Sequence, residues 1–334
     1  MMCFGSLRSL VVFYYLSLLM LPINSAMALA LARKTIKTSS NLEISYVESC
    51  HHHEDDASVN EPVTLFVHGL DSSSHTWRNI QTSLATPSIA IDCRGCGNSD
   101  LGSPNDFTAD ALVEDVKSVV DSHPLLHGKR FVLVGHSMGG RIVSCYAAKY
   151  PEDISALVIE DMDIRRRSVE TNFIPNFDEA KALSFERLHP NLDSMKTAFK
   201  DIGYPTDMID KWIREGRVYE QEKGTLWSDV NPAFRALCYR RIFDSNVGTT
   251  CWNAITQHFA NSNYVRVHLL VAGIGTVCEQ ESINCMTESM PSTISVKTYT
   301  AGYHSIHGSV KEEFLCDLRE IIVNAKRGTL RGKL

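Results

Sequence analysis

Phe131-Val132-Leu133-Val134-Gly135-His136-Ser137-Met138-Gly139-Gly140 is the stretch on which the fold turns. A short aliphatic run breaks abruptly into Gly-x-Ser-x-Gly, and Arg141 to Ala148 then has good helical character. A buried strand that feeds a helix through such a turn holds the serine at the tip of a sharp, strained bend, its oxygen clear of the sheet. Side chains at Gly135 and Gly139 would strike the neighbouring strand and helix. The Met138 N–H falls at a helix N-terminus, where it can hold negative charge. Gly-x-Ser-x-Gly also recurs by chance, so the flanking sequence has to decide.

Upstream, Pro62 to Val67 is an apolar run of the kind buried in a parallel sheet. It ends in His68-Gly69-Leu70-Asp71 and a small-residue loop, after which Trp77, Ile80 and Leu84 recur at helical spacing. Ser88 to Asp92 is the next short strand, followed by Arg94-Gly95-Cys96-Gly97-Asn98-Ser99. Leu42, Ile44 and Tyr46 alternate over Asn41 to Glu48 and predict a first strand. A helix is expected from near Thr108 to Ser122, with Leu112, Val116 and Val119 on one face.

Downstream, the strand Ala156 to Ile159 ends in Glu160-Asp161-Met162-Asp163. Carboxylates there sit on the sheet edge where active sites are assembled. From Ile164 to about Asn261, amphipathic segments carrying Phe185, Phe199, Trp212, Trp227 and Phe234 follow one another without strand-like runs. They read as a helical insertion over the site, with an apolar pocket or simply a core of their own. Strands resume at Val265 to Ala272 and Ile294 to Thr300, then Ala301-Gly302-Tyr303-His304-Ser305-Ile306-His307 and a closing helix. Such alternation predicts an α/β fold with a mostly parallel, doubly wound sheet. The expected division is an N-terminal segment over 1–28, a core over 29–163, a helical cap insertion over 164–262, and the rest of the core over 263–334.

Nucleophile, acid and base then follow in the order Ser137, Asp161, His304. With His68-Gly69, Asp92-x-Arg94-Gly95-x-Gly97-x-Ser99, Gly135-x-Ser137-x-Gly139 and Gly302-x-His304-x-x-His307, the chain resembles the α/β-hydrolase superfamily, and its small bacterial and mitochondrial serine esterases in particular. The resemblance runs from about residue 42 to the last helix. It departs at Cys96, where the family often has histidine, and at Gly273 to Glu279, where many members place the acid but no aspartate stands here. The esterase subgroup places its acid as this chain places Asp161. Asp163 and Glu279 remain alternatives for the acid, and His307 for the base.

The resemblance implies an ester hydrolase in which Ser137 attacks an acyl carbonyl, His304 takes its proton and Asp161 orients the imidazole. Backbone N–H groups of Leu70 and Met138 would form the oxyanion hole, and His68 and His136 would be structural. No metal or organic cofactor is expected. Acyl transfer, thioester hydrolysis and C–C hydrolysis or lysis use the same constellation, and a non-catalytic ligand-binding protein could keep the fold. A serine at the elbow argues against epoxide hydrolases and haloalkane dehalogenases, which use aspartate there. The expected partner is a small acyl ester.

Composition is ordinary for a globular chain of 334 residues, with 44% hydrophobic and 22% charged. A net charge of −6 and one short basic run, Arg165-Arg166-Arg167, exclude a nucleic-acid surface, and that run reads as a solvated helix face. Arg8, the apolar run Leu10 to Leu21 and Ala26-Met27-Ala28 have the order of a cleavable secretory signal. A retained membrane anchor and organellar targeting are the alternatives, and membrane association is confined to this segment. The absence of an Asn-x-Ser/Thr acceptor and ten cysteines without a regular framework pull the other way. Cys93 and Cys96 have C-x-x-C spacing but lack a thioredoxin context. His51-His52-His53 reads as a solvated loop, since adjacent histidines lack zinc-ligand spacing.

Overall fold

Runs that are apolar at every position, not alternate ones, can only sit in a sheet covered on both faces, and this chain builds one. The computed structural model describes residues 30–50, 62–168, 174–221 and 224–331. The core strands are β1 (Ala30–Lys37), β2 (Glu43–Cys50), β3 (Thr64–Val67), β4 (Ser88–Ile91), β5 (Phe131–His136) and β6 (Ile154–Glu160). A segment with three short strands follows: β7 (Leu188–His189), β8 (Val218–Glu220) and β9 (Leu226–Ser228). β10 (Arg266–Ile274) and β11 (Ile294–Tyr303) complete an eight-stranded sheet of order β1-β2-β4-β3-β5-β6-β10-β11. From β4 to β11 every neighbouring pair is parallel, and β2 runs antiparallel to both β1 and β4. This is the α/β-hydrolase fold.

Helices cover both faces. They are α1 (Arg78–Gln81), α2 (Ala109–Ser122), α3 (Met138–Lys149), α4 (Glu179–Leu183), α5 (Leu192–Ile202), α6 (Thr206–Arg214), α7 (Pro232–Cys238), α8 (Val247–Phe259), α9 (Gln280–Ser289), α10 (Ile306–Ser309) and α11 (Lys311–Arg331). Phe131 and Leu133 of β5 pack with α2, α3 and α8 on one face. Val132 and Val134 pack with Trp77, Phe314, Leu315 and Leu318 on the other. The alternation sends successive side chains into two separate cores.

The parallel part of the sheet begins at β3, from which the chain steps outward to β4 and then crosses back to β5 on the other side of β3. Strand order therefore reverses between β3 and β5, which opens a crevice at their C-terminal ends. Gly69 follows β3 there, and Ser137 follows β5.

Two expectations are corrected, and one open choice falls to the core reading. The strand expected over Asn41 to Glu48 is β2 and has a partner, β1, in full antiparallel register from Ala30↔Cys50 to Lys37↔Glu43. Its apolar positions are too few to stand out beside Arg33, Lys34 and Lys37. The insertion is not wholly helical, because β7, β9 and β8 form a small antiparallel sheet. Strands of two or three residues are too short to display an alternating period. Met195, Phe199, Ile209 and Trp212 form a separate core within the insertion, so they give no evidence of an apolar pocket. Residues 1–28 and the His51–His53 stretch lie outside the described residues.

Candidate active site

Among the described residues five non-glycine residues have positive φ, and three of them follow neighbouring strands: Asp71 (φ 50°) in the loop after β3, Ser137 (φ 53°) directly after β5 and Asp161 (φ 48°) directly after β6. Each such residue costs on the order of 1–3 kcal/mol and persists only where its surroundings enforce it. At Ser137 the surroundings are explicit. A Cβ on Gly135 would lie 2.3 Å from the Gly139 carbonyl oxygen, and one on Gly139 2.3 Å from the Val67 oxygen. Helix α3 therefore starts hard against strand ends β3 and β5, with Met138 as its first residue. The Ser137 N–H donates to the Glu160 oxygen at 2.8 Å, fixing the turn to β6.

The structure brings Ser137, His304 and Asp161 into one hydrogen-bonded line. His304 Nε2 is 2.9 Å from Ser137 Oγ, and His304 Nδ1 is 2.7 Å from Asp161 Oδ2. The Asp161 carboxylate is fully buried and saturated. Its Oδ1 accepts from the Ala272 N–H and Thr276 Oγ1, and its Oδ2 also accepts from the Val277 N–H. Burial opposes its ionisation, but the bonds from His304, Thr276 and Ala272 prevail and hold the carboxyl below the usual range. The Gly273-to-Glu279 loop, which lacks an aspartate, thus supplies donors to the acid. Thr276 was not singled out from the sequence, since a loop threonine carries no signal of its partner.

The alternative acids have other partners. Asp163 accepts from Arg165 Nε at 2.8 Å and Arg167 Nη2 at 2.7 Å, and from the Glu279 N–H. Glu279 is exposed and pairs with Arg165. The run Arg165-Arg166-Arg167 is therefore no solvated helix face. It is an irregular segment in which Arg165 and Arg167 both also donate to the Val277 oxygen, bracing the loop that holds Asp161.

His307 also has a partner of its own. Its Nδ1 is 2.8 and 2.9 Å from the Glu160 oxygens, its N–H donates to Glu160, and its Nε2 is 2.7 Å from Thr76 Oγ1. Burial opposes the charge on Glu160, but His307 holds the carboxyl below its ordinary value. Trp77 packs over the His307 ring at 4.2 Å between centroids. This buried line was missed from the sequence. The available signal was the coincidence of two adjacent carboxylates, Glu160-Asp161, with two histidines three residues apart.

His136 and His68 are buried and uncharged. Burial lowers His136 to about 3 and His68 to about 4. His136 Nε2 then donates to the His304 carbonyl oxygen at 3.0 Å, tethering the histidine loop to β5. His68 Nε2 accepts from the Cys93 N–H, and Nδ1 donates to the Gly69 oxygen. A Cβ on Gly69 would lie 3.0 Å from Ser137 Cβ, so the loop after β3 rides on the elbow and brings Leu70 alongside it.

The insertion grips that loop at the next residue. Asp71 accepts from Arg235 Nε at 2.9 Å and from Tyr204 OH at 2.8 Å, while Arg217 donates to its backbone oxygen. Arg235 is 1% exposed, and removing one member of such a buried pair costs about 3–5 kcal/mol. Asp92 holds the far end of the loop, accepting from the Ser74 N–H at 2.7 Å. Cys93 and Cys96 are free, buried thiols whose ionisation burial disfavours. Among the described residues no group of three or more His, Cys, Asp or Glu side chains is placed to share a metal ion.

Comparison with known proteins agrees with this architecture. The family described as alpha/beta hydrolase fold matches residues 62–185. Protein phosphatase methylesterase 1 of Candida albicans is 35% identical over 180 residues, which is 50% of this chain and 49% of that protein. Epoxide hydrolase 4 of Mus musculus is 32% identical over 117 residues, 34% of this chain and 31% of that one. The chain thus spans half or less of the length of these curated relatives. Among solved structures, the thioesterase domain from the curacin biosynthetic pathway superposes with a TM-score of 0.62 at 15% identity, over 88% of this chain and 99% of that one. At that identity the likeness is one of fold.

Proposed function

We propose that this member of the α/β-hydrolase superfamily is a serine hydrolase that cleaves carboxylic esters through an acyl-enzyme. The observation that carries the reading is the unbroken line from Ser137 Oγ through His304 to Asp161, at 2.9 and 2.7 Å, on a serine with left-handed backbone. Ser137 Oγ attacks the carbonyl carbon while His304 Nε2 takes its proton. Asp161 keeps the remaining imidazole proton on Nδ1 and stabilises the imidazolium as it forms. The N–H groups of Met138, at the start of α3, and of Leu70 receive the oxyanion, each worth about 10²–10³ in rate. His304 then protonates the leaving alcohol, and water resolves the acyl-enzyme by the same relay.

The methylesterase relative supports an ester as the bond cleaved. The epoxide hydrolase relative raises a second chemistry, against which the hydroxyl nucleophile argues. The deciding experiment is labelling of the purified protein by a fluorophosphonate, with short p-nitrophenyl esters and a methyl ester as substrates. Covalent label on Ser137 and ester turnover are expected. Folded protein that neither takes the label nor turns over any ester would end the proposal.

A further inference from the structure

Two cysteines meet behind the elbow. Cys145 stands two turns into α3, the helix that Ser137 initiates, and Cys251 lies in α8, the last helix before β10. The two helices pack along each other, and the Sγ atoms are 2.6 Å apart. That separation is roughly half an ångström beyond a covalent S–S bond of about 2.0 Å. Cys145 is buried and Cys251 is half-buried, so Cys251 is the member of the pair nearer to solvent.

Arg141 completes the arrangement. It lies one turn before Cys145 on α3, while Gly248 lies one turn before Cys251 on α8. A Cβ on Gly248 would fall 2.5 Å from Arg141 Nη1, so only glycine lets the guanidinium lie against α8. Arg141 Nη2 donates to the Asp163 and Arg165 oxygens, whereas buried Nη1 has no hydrogen-bond partner among the described residues. An unpaired guanidinium N–H beside a thiol favours the thiolate. The hydrogen bond with Cys145, aided by Arg141, draws Cys251 below the ordinary thiol value. The same bond, with burial, pushes Cys145 up.

We propose that Cys145 and Cys251 form a reactive dithiol that closes to an intramolecular disulfide, fastening the elbow helix to the helix that ends the insertion. The oxidant is a low-molecular-weight disulfide such as oxidised glutathione. The Cys251 thiolate attacks one of its sulfurs, breaking that S–S bond and expelling one glutathione thiolate. Cys145 gives up its proton and attacks the Cys251 sulfur of the mixed disulfide, expelling the second glutathione. The protein loses two electrons and two protons, and the reagent becomes two thiols. The cross-link joins residues 106 apart and encloses Asp161 together with most of the insertion. Closing a loop of that size restricts the unfolded chain, and a rise in Tm of about 5–10 °C is expected.

The test does not depend on the hydrolase reading. The full chain is treated with oxidised glutathione, denatured, alkylated and digested for mass spectrometry. Peptides bearing Cys145 and Cys251 should appear joined, two hydrogens lighter, and should separate with dithiothreitol as Tm falls back. In Cys145→Ser the resolving thiol is gone, so glutathione should remain on Cys251 as a stable adduct. The proposal fails if exposed Cys285 and Cys316 react while Cys145 and Cys251 stay reduced. It fails equally if glutathione persists on Cys251 in the unaltered protein. The unaltered protein alone decides the cross-link, should the serine variant not fold.

Discussion

His304 and His307 stand three residues apart, and each bridges a hydroxyl to a carboxylate. His304 links Ser137 to Asp161, and His307 links Thr76 to Glu160, with heavy-atom distances between 2.7 and 2.9 Å in both lines. The two acids are consecutive, so at the end of β6 they diverge to different sides. Their surroundings then differ in every respect that matters for chemistry. The His304 side chain is 35% exposed and its hydroxyl stands on a strained turn at a helix N-terminus. The His307 side chain is 1% exposed and lies beneath Trp77, with its hydroxyl inside a short turn. The same three kinds of group, hydroxyl, imidazole and carboxylate, thus serve two ends. The first line is partly open to solvent at His304, and the second holds the histidine loop to the sheet.

The sharpest way to break that contrast is to remove each histidine. His304→Ala should lower kcat by up to ~10⁶, as losing the base of a Ser-His-acid unit does. His307→Ala should cost less than about 10² in kcat but some 3–5 kcal/mol of stability, because Glu160 is left buried and unpaired. Ester turnover and urea unfolding of both variants make the check. Equal kinetic losses would mean that the buried line takes part in the chemistry.

The acids give a smaller but more specific comparison. Asp161→Asn should favour the wrong imidazole tautomer and cut kcat by about 10⁴. Glu160→Gln, which can still accept from His307, should cost at most about tenfold, and exposed Glu279→Gln should be nearly silent. If Asp161→Asn keeps its activity while Glu279→Gln loses it, the acid has been misassigned.

The smallest effect is in pH dependence, and it rests on His136, whose ring packs 4.8 Å from His304 and 5.1 Å from His307. Its folded value of about 3 lies below the ordinary histidine value of about 6.5. Between those values the unfolded chain binds a proton that the folded one refuses. Stability from this group is full above pH ~6.5 and falls as the pH drops, by roughly 3 kcal/mol at pH 4. Thermal unfolding from pH 7 to 4 should show a falling Tm, with a shallower slope in His136→Gln. An unchanged slope would mean that His136 is charged in the folded protein.

The sequence by itself determined the parallel sheet and the glycine-flanked elbow at Ser137, because these follow from local patterns, whereas Asp161 and His304 were singled out by resemblance. Continuous apolar runs demand burial on both faces. Gly135 and Gly139 mark a turn that tolerates no side chain. Strand, loop and helix alternation then leaves few topologies open. Where pairing partners lie far apart in the chain, the pattern was silent. Resemblance alone put Asp161 ahead of Asp163 and Glu279, and only the closing of the 273–279 loop against β6 gives the first to His304 and the others to arginines. Glu160 was one of a row of edge carboxylates and Thr76 carried no signal until the turn after β11 brought His307 between them. The grip of Arg235 and Tyr204 on Asp71 spans 164 and 133 residues. The identity of a hydrogen-bond partner is set by strand register and by which loops close over the sheet edge, and no local period records either.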